Sequence, residues 1–183
     1  MPGEVSTVDL RALDLAPGAA ARLRVRPPAI DLVIGGQQHA TDPAEPELDL
    51  EVTRSLSGLH LRLRGSLHLR GPCVRCLEPA RAPLEIDTSE FVANDRRPDG
   101  LFDEDFDSAY VDDLTLDLAL WARDAIAEAV PATLLCREDC AGLCPVCGTD
   151  LNTGSCDCAV DTTDSRWDAL RALAERLGDD TSA

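Results

Sequence analysis

The sequence predicts an α+β protein, in which a mostly antiparallel β domain, a small barrel or a curved sheet, carries two helices and a cysteine-rich tail. Two alternating segments, "ELDLEVT" and "LHLRLRGSLHLR", indicate a half-exposed antiparallel hairpin. Two later segments have helical periodicity, and six of the eight cysteines fall within residues 136–158. We expect a β-rich domain over residues 1–131 and the tail over residues 132–183.

The hairpin is predicted to place leucines on its inner face and charged residues on its outer face. The inner leucines are Leu59, Leu61, Leu63, Leu67 and Leu69. A turn centred between Ser55 and Leu56 pairs Glu51 with His60, Asp49 with Arg62 and Glu47 with Arg64. Arg62 and Arg64 are therefore expected in exposed cross-strand ion pairs, each worth about 0.2 to 1 kcal/mol.

Four further basic residues follow along the same stretch, and no acidic strand is assigned to them. They are His68, Arg70, Arg75 and Arg81. We predict that they form the contact surface for a partner or RNA.

The first cysteine pair lies in "GPCVRCLEPARAPLEID", between two predicted strands. A thioredoxin-type pair lies where a strand enters a helix, whose N-terminus lowers the thiol pKa. Here Pro79 and Pro83 follow, so Cys73 and Cys76 are placed on a tight turn between strands. That position favours a metal knuckle over a redox pair, and two reduced structural cysteines are the third alternative.

The stretch "NDRRPDGLFDEDFDSAYVDD" is predicted to be an acidic loop, either a solvated linker or a docking site for a basic partner. The next segment, "LDLALWARDAIAEAVP", predicts a helix with Asp117 as its N-cap and Pro131 at its end. Its apolar stripe contains Leu118, Trp121, Ala122, Ala125 and Ala129. A second helix, "DSRWDALRALAERLG", is predicted with the stripe Trp167, Leu170, Leu173 and Leu177.

The tail cysteines have the spacing C-x3-C-x3-C-x2-C-x8-C-x-C. The segment Cys144-Pro145-Val146-Cys147-Gly148 has the form of a zinc knuckle, in which Gly148 permits a positive φ. Cys156 and Cys158 can converge on the same ion from the far side of the loop. Four thiolates form a closed structural Zn²⁺ site, which predicts a zinc-stapled C-terminal tail.

The remaining four cysteines suggest a second structural Zn²⁺ site, which we state as a hypothesis because it rests on arithmetic. Its ligands are Cys73, Cys76, Cys136 and Cys140. Such a site would clip the tail to the β domain. An iron–sulfur cluster is the minor alternative for a four-thiolate set.

The net charge of −17 argues against nucleic-acid binding through bulk charge and favours a basic protein partner. The sequence still allows a local basic patch, because residues 54–81 hold six arginines and one acid. The first residues show no signal-peptide pattern, and no apolar run approaches 18 residues. We expect a cytoplasmic protein with reduced thiols, no membrane contact and no small-molecule substrate.

Several segments together resemble the YceD family of large ribosomal RNA subunit accumulation proteins, in its Gram-positive bacterial form with a cysteine-rich tail. The segments are "CVRCLEP", "LDLALWARDAIAEAVP", "CREDCAGLCPVCGTDLN" and "DSRWDALRAL". The resemblance covers roughly residues 59–177. It implies a cytoplasmic, non-catalytic factor that supports 23S rRNA accumulation.

The leading hypothesis is therefore a binding protein in large-subunit assembly, with a basic ribosomal protein or assembly factor as its partner and 23S rRNA as a second contact. The alternative is an enzyme, such as a ribonuclease or a thiol oxidoreductase that uses Cys73 and Cys76. The sequence shows no Ser/His/Asp arrangement, phosphate-binding loop or paired histidines that would support an enzyme. A zinc or redox sensing regulator is a further alternative, although neither predicted helix is a basic recognition helix.

Overall fold

The computed structural model describes residues 6–93 and 108–159, together with Trp167, Leu170 and Leu173. The chain forms two compact units, Met1–Asp139 and Cys140–Ala183. Every strand and helix named below lies in the first unit. The domain boundary expected at residue 131 stays a prediction.

The first unit is built mainly from antiparallel strands. In chain order the elements are β1 (Thr7–Asp9), a 3-10 helix (Arg11–Leu13), β2 (Ala20–Val25), β3 (Asp31–Ile34), β4 (Gln37–Asp42), β5 (Leu48–Arg54), β6 (Gly58–Pro72), β7 (Pro79–Ala93), β8 (Val111–Asp112), β9 (Thr115–Asp117) and α1 (Leu118–Ala129). The main sheet has the order β2-β5-β6-β4-β3, with β7 also paired to β6, and a small sheet has the order β1-β9-β8.

Strand β6 organises the main sheet because it pairs with three neighbours. Along one edge it pairs with β5 through residues 59–64 and with β4 through residues 68–70. Along the other edge it pairs with β7 over its whole length. No described strand joins the ends of this sheet, so the sheet is open and the expected alternative of a small barrel is wrong.

The alternation of the hairpin is confirmed, since the five predicted leucines are all buried. Gly65 occupies the next inward position, where Leu48 of β5 takes the space of a side chain. A Cβ on Gly65 would lie 2.5 Å from Leu48 Cδ2. The core is therefore aliphatic and closely packed along β5 and β6.

The register between β5 and β6 differs from the expected one by two residues. Asp49 lies opposite Arg64, and Glu51 lies opposite Arg62. The reason is the turn Ser55–Gly58, in which Ser55 N donates to Gly58 O at 2.8 Å and Gly58 N donates to Ser55 Oγ at 3.0 Å. A shift of two residues keeps every side chain on its predicted face and changes only the partners.

Helix α1 begins as predicted, because Asp117 Oδ1 accepts a hydrogen bond from Leu120 N at 2.9 Å. Its buried residues are Leu118, Trp121, Ala122, Ala125 and Ile126. The second predicted helix lies mostly outside the described residues, and so does the acidic stretch over residues 94–107. Among the described helices, none has the length and apolar character needed to cross a membrane.

Candidate metal centres and the adjoining groove

The structure brings the eight cysteines together in two groups of four. The first centre contains Cys73, Cys76, Cys136 and Cys140, and the second contains Cys144, Cys147, Cys156 and Cys158. Within each centre, all sulfur atoms lie within 4.8 Å of one another. These are the same two sets into which the sequence divided the cysteines.

The first centre is built on the turn that joins β6 to β7, residues 73–78, which we call the first knuckle. Cys73 N donates to Glu78 O at 2.8 Å, and Leu77 N donates to Cys73 O at 3.0 Å. The turn also points a backbone N–H at sulfur, since Arg75 N lies 3.4 Å from Cys73 Sγ. Cys73 and Cys76 therefore lie on a tight turn that backbone hydrogen bonds hold, and not at a helix N-terminus. This is the position that the sequence predicted.

The second centre contains an equivalent turn over residues 144–149, the second knuckle, with the same three backbone contacts. Cys144 N donates to Thr149 O at 2.8 Å, Gly148 N donates to Cys144 O at 2.9 Å, and Val146 N lies 3.4 Å from Cys144 Sγ. Gly148 has the expected positive φ of 74°. Leu77 takes the corresponding place in the first turn with a φ of 64°, a conformation that costs non-glycine residues energy.

The donor sets fit Zn²⁺. Four sulfurs about 2.3 Å from a tetrahedral ion lie about 3.8 Å apart, and Cys76 Sγ lies 3.6 Å from Cys136 Sγ. Each set is composed only of sulfur and offers no open position, which is typical of structural sites. Both clusters are thus consistent with metal-binding sites. The ion would supply the charge that holds four thiolates together, and its chemistry would be structural.

The thiol pKa values differ sharply within these groups. Burial acts to raise the pKa of Cys73, but backbone N–H groups of Cys136 and Arg75 outweigh it and lower the pKa to about 6. The hydroxyl and backbone N–H of Thr149 lower the pKa of Cys147 to about 6. The adjacent Cys147 sulfur raises the pKa of Cys158 to about 11. A bound dication favours the thiolate form of every member.

The two centres differ in their exposure to solvent. In the first, Cys73, Cys76 and Cys140 are buried, and Cys136 is exposed. In the second, Cys144 is buried, Cys156 is half-buried, and the other two are exposed. A chelator in solution therefore has more direct access to the second centre.

Two of the predicted contact residues, Arg70 and Arg81, lie directly opposite each other on β6 and β7. Contrary to the expectation, an acidic residue lies beside them, because β4 takes over the edge of β6 where β5 ends. Asp42 Oδ2 lies 3.1 Å from Arg81 Nη2 and 3.8 Å from Arg70 Nε. His68 is the cross-strand neighbour of Asp42.

A groove of about 700 Å³ adjoins this cluster. Its polar lining includes Asp31, Gln38, His39, Arg70 and Arg81, and its apolar lining includes Pro72, Leu77 and Pro79. His39 is buried because it lies against Gly71, where a Cβ would approach His39 Cδ2 to 2.2 Å. The groove therefore combines arginine donors with an apolar surface next to the first knuckle.

Sequence reasoning missed three residues that shape these sites: Asp42, Leu77 and Asn152. The signal for Leu77 was present, since aligning "CVRCLEP" on "CPVCGTD" places it at the position of Gly148. Asn152 could have been noticed as part of "DLN", a pattern typical of side-chain-capped turns. The position of Asp42 could not be read without the pairing of β4.

The chain is similar to a known protein family over most of its length. The profile of the family described as large ribosomal RNA subunit accumulation protein YceD matches residues 59–174. That range includes most of β6, the first knuckle, α1 and both candidate centres. No solved structure matches the chain.

Curated relatives come from mycobacteria and from a plant. An uncharacterized protein of Mycobacterium tuberculosis H37Rv is 36% identical over 149 residues, covering 79% of this chain and 70% of the relative. An uncharacterized protein of Mycobacterium bovis matches to the same extent. A maize protein named large ribosomal RNA subunit accumulation protein YCED homolog 1, chloroplastic, is 27% identical over 166 residues, covering 71% of this chain and 55% of the maize chain.

Proposed function

Because the chain belongs to the YceD family of large ribosomal RNA subunit accumulation proteins, we propose that it is a non-catalytic ribosome biogenesis factor that supports 23S rRNA accumulation. The observation that carries this proposal is the family match over residues 59–174, which contains the first knuckle and its hairpin. In this role the two metal centres are structural. They hold loops in place and perform no chemistry.

The acidic surface supports a basic ribosomal protein or assembly factor as the partner. Residues 85–117 hold twelve acids and two arginines. Among the described residues of this range, the exposed acids are Glu85, Asp87, Asp112, Asp113 and Asp117. Such a field attracts a basic partner at long range and raises its association rate.

The basic cluster next to the groove supports a local contact with 23S rRNA. Arg70 and Arg81 share the single carboxylate of Asp42, so the three side chains together carry positive charge. Arg75 is exposed on the knuckle, and His68 lies on the same strand as Arg70. Arginine pairs bind phosphate oxygens well because guanidinium groups present several donors in a fixed geometry.

Affinity purification from growing cells, with and without ribonuclease treatment, tests the function. We expect the protein to co-purify and co-sediment with large-subunit precursors. Loss of the association after ribonuclease would indicate an RNA contact, whereas its persistence would indicate the basic protein partner. A protein that sediments only in the free fractions during rapid growth would contradict the proposal.

Substituting Arg70, Arg75 and Arg81 together by Ala should weaken the association with precursors, because it removes the donors next to the groove. A matched control removes Arg22, Arg24 and Arg62, which are also exposed and lie on other parts of the sheet. Equal sedimentation of both triple variants and the wild type would leave the basic cluster with a structural role only.

A thiol oxidoreductase is the second candidate, since the pKa of Cys73 is lowered to about 6. Reactive thiols have such values, but so does Cys147 in the second knuckle, where the same backbone geometry operates. Titrating the thiols with an alkylating reagent separates the two functions. A redox pair would be alkylated at the same rate with and without zinc, whereas structural ligands would be alkylated only after a chelator removes the ion.

A further inference from the structure

Asn152 contacts a cysteine of the first centre, although it lies in the loop between Cys147 and Cys156 of the second. Its Nδ2 lies 3.6 Å from Cys140 Sγ. Its Oδ1 accepts a hydrogen bond from Ala141 N at 2.8 Å. The carboxamide oxygen thus binds the backbone next to Cys140, and the carboxamide NH₂ group points at the Cys140 sulfur.

The loop that carries Asn152 is itself organised around the second centre. Thr149 closes the knuckle with its carbonyl, and its hydroxyl lies 3.1 Å from Cys147 Sγ. Asp150 then accepts from Asn152 N at 2.9 Å and from Asn152 Nδ2 at 2.6 Å. An ion that fixes Cys144 and Cys147 therefore also fixes the position of Asn152.

An amide donor at sulfur matters because four thiolates around one dication leave a net charge of about −2. Hydrogen bonds to the sulfurs offset that charge, and outer-shell donors of this kind tune metal affinity. Cys73 and Cys144 receive such donors from their own knuckles. Cys140 receives one from the side chain of Asn152, and the position of that side chain depends on the other centre.

We infer that Asn152 links the two metal centres, so that filling the second centre raises the metal affinity of the first. The inference rests on the proposed binding of metal at both centres. Linkage requires the effect to be reciprocal, so an ion in the first centre also favours binding at the second. The protein would then load both ions together, and the more exposed second centre would control retention at the buried first one.

Zinc titration of the full-length protein against a chelating indicator tests the link. Asn152→Asp keeps the shape and the acceptor for Ala141 N but loses the amide donor, and Asn152→Ala loses both. We expect each variant to weaken zinc binding at the first centre about ten- to hundred-fold, as for other outer-shell partners. Thr153→Ala is the matched control, because the Thr153 hydroxyl donates to Asp150 Oδ2 in the same loop at 3.2 Å and not to a cysteine sulfur.

A mutant cycle distinguishes coupling between the two centres from an effect of Asn152 on the first centre alone. Cys156→Ser/Cys158→Ser disables the second centre, and we expect the remaining zinc at the first centre to bind more weakly than in the wild type. In that background Asn152→Asp should have little further effect, since the loop is no longer fixed. The variant Cys73→Ser/Cys76→Ser gives the affinity of the second centre alone for comparison.

Two results would overturn the inference while leaving metal binding intact. One is a first centre that binds zinc equally well in the wild type, both Asn152 variants and Thr153→Ala. The other is an Asn152→Asp effect of the same size whether or not the second centre is disabled, which would make the contact local. A wild-type protein that binds no zinc would overturn the metal centres themselves and the link with them.

Discussion

At the scale of single residues, Leu77 and Gly148 occupy the same place in two equivalent turns but differ in conformational cost. Both have a positive φ, which glycine adopts freely and leucine does not. Leu77 is also more than half exposed, so burial offsets little of this cost. Its side chain lines the groove, which gives it a role apart from folding.

Leu77→Gly is expected to raise the free energy of unfolding by up to about 1 kcal/mol, because relief of the left-handed strain exceeds the entropy that glycine adds to the unfolded chain. Gly148→Leu should lower it by about 1 to 2 kcal/mol. Urea denaturation at saturating zinc measures both changes. Leu77→Ala is the control, since it removes the side chain and keeps the strain. A Leu77→Gly protein less stable than Leu77→Ala would contradict the argument.

At this scale the sequence predicted the cysteine groups but not their surroundings. The cysteine groups could be predicted because the C-x-x-C pairs and the even count restrict how eight cysteines can form two sets of four ligands. Asp42 and Asn152 act through contacts that depend on strand pairing and loop folding, which spacing does not reveal. The lowered pKa of Cys73 likewise arises from backbone N–H groups, whose directions no residue type encodes.

At the scale of elements, the contact between Gly65 of β6 and Leu48 of β5 fixes how closely these strands pack. A side chain at position 65 would occupy the space that Leu48 fills. Gly65→Ala is expected to destabilise the protein by about 1 to 3 kcal/mol through overpacking. Leu48→Ala alone should cost about 2 to 5 kcal/mol through the cavity it leaves.

The double variant Gly65→Ala/Leu48→Ala should lose less stability than the two single losses added together, because the new methyl group enters the vacated space. Urea denaturation of the four proteins gives the coupling free energy. Ser66→Ala, at the exposed neighbouring position, should change stability by less than about 0.5 kcal/mol. Strictly additive losses would show that position 65 does not compete with Leu48.

Strands and helices with a strong hydrophobic periodicity could be predicted from the sequence. The strands that pair with them could not. The alternating leucines of β6 and the capped start of α1 follow from residue patterns alone. The register of β5 on β6 depends on the length of the turn, which "RSLSG" leaves open by two residues. The division of the β6 edge between β5 and β4 depends on the path of the whole chain, so the open sheet could not be distinguished from a barrel.

At the scale of the whole molecule, the second unit has almost no apolar core among its described residues. Only Cys140, Gly142 and Cys144 are buried there. The described part of this unit, residues 140–159, buries too little apolar surface to fold without a metal or disulfides, whereas the first unit buries the leucines of its main sheet. Metal should therefore stabilise the two units very unequally.

Removal of zinc by a strong chelator is expected to expose residues 140–159 to hydrogen exchange while β6 and β7 stay protected. The amides of Cys144 and Gly148, which bond within the knuckle, should lose protection by a large factor. Hydrogen exchange with mass spectrometry measures both regions in one experiment, and re-added zinc is the control. Equal protection of residues 140–159 before and after chelation would contradict a structural role for the ion.

The pairing of β6 with β7 also has a consequence for synthesis on the ribosome. Cys76 is made 60 residues before Cys136, an interval of about 3 to 12 s at roughly 5 to 20 residues per second. Hairpins close in about 1 to 10 μs, so the turn bearing Cys73 and Cys76 can form long before its remaining ligands exist. The nascent chain thus carries a two-thiol half-site for seconds, and the first centre is completed only when translation reaches the tail.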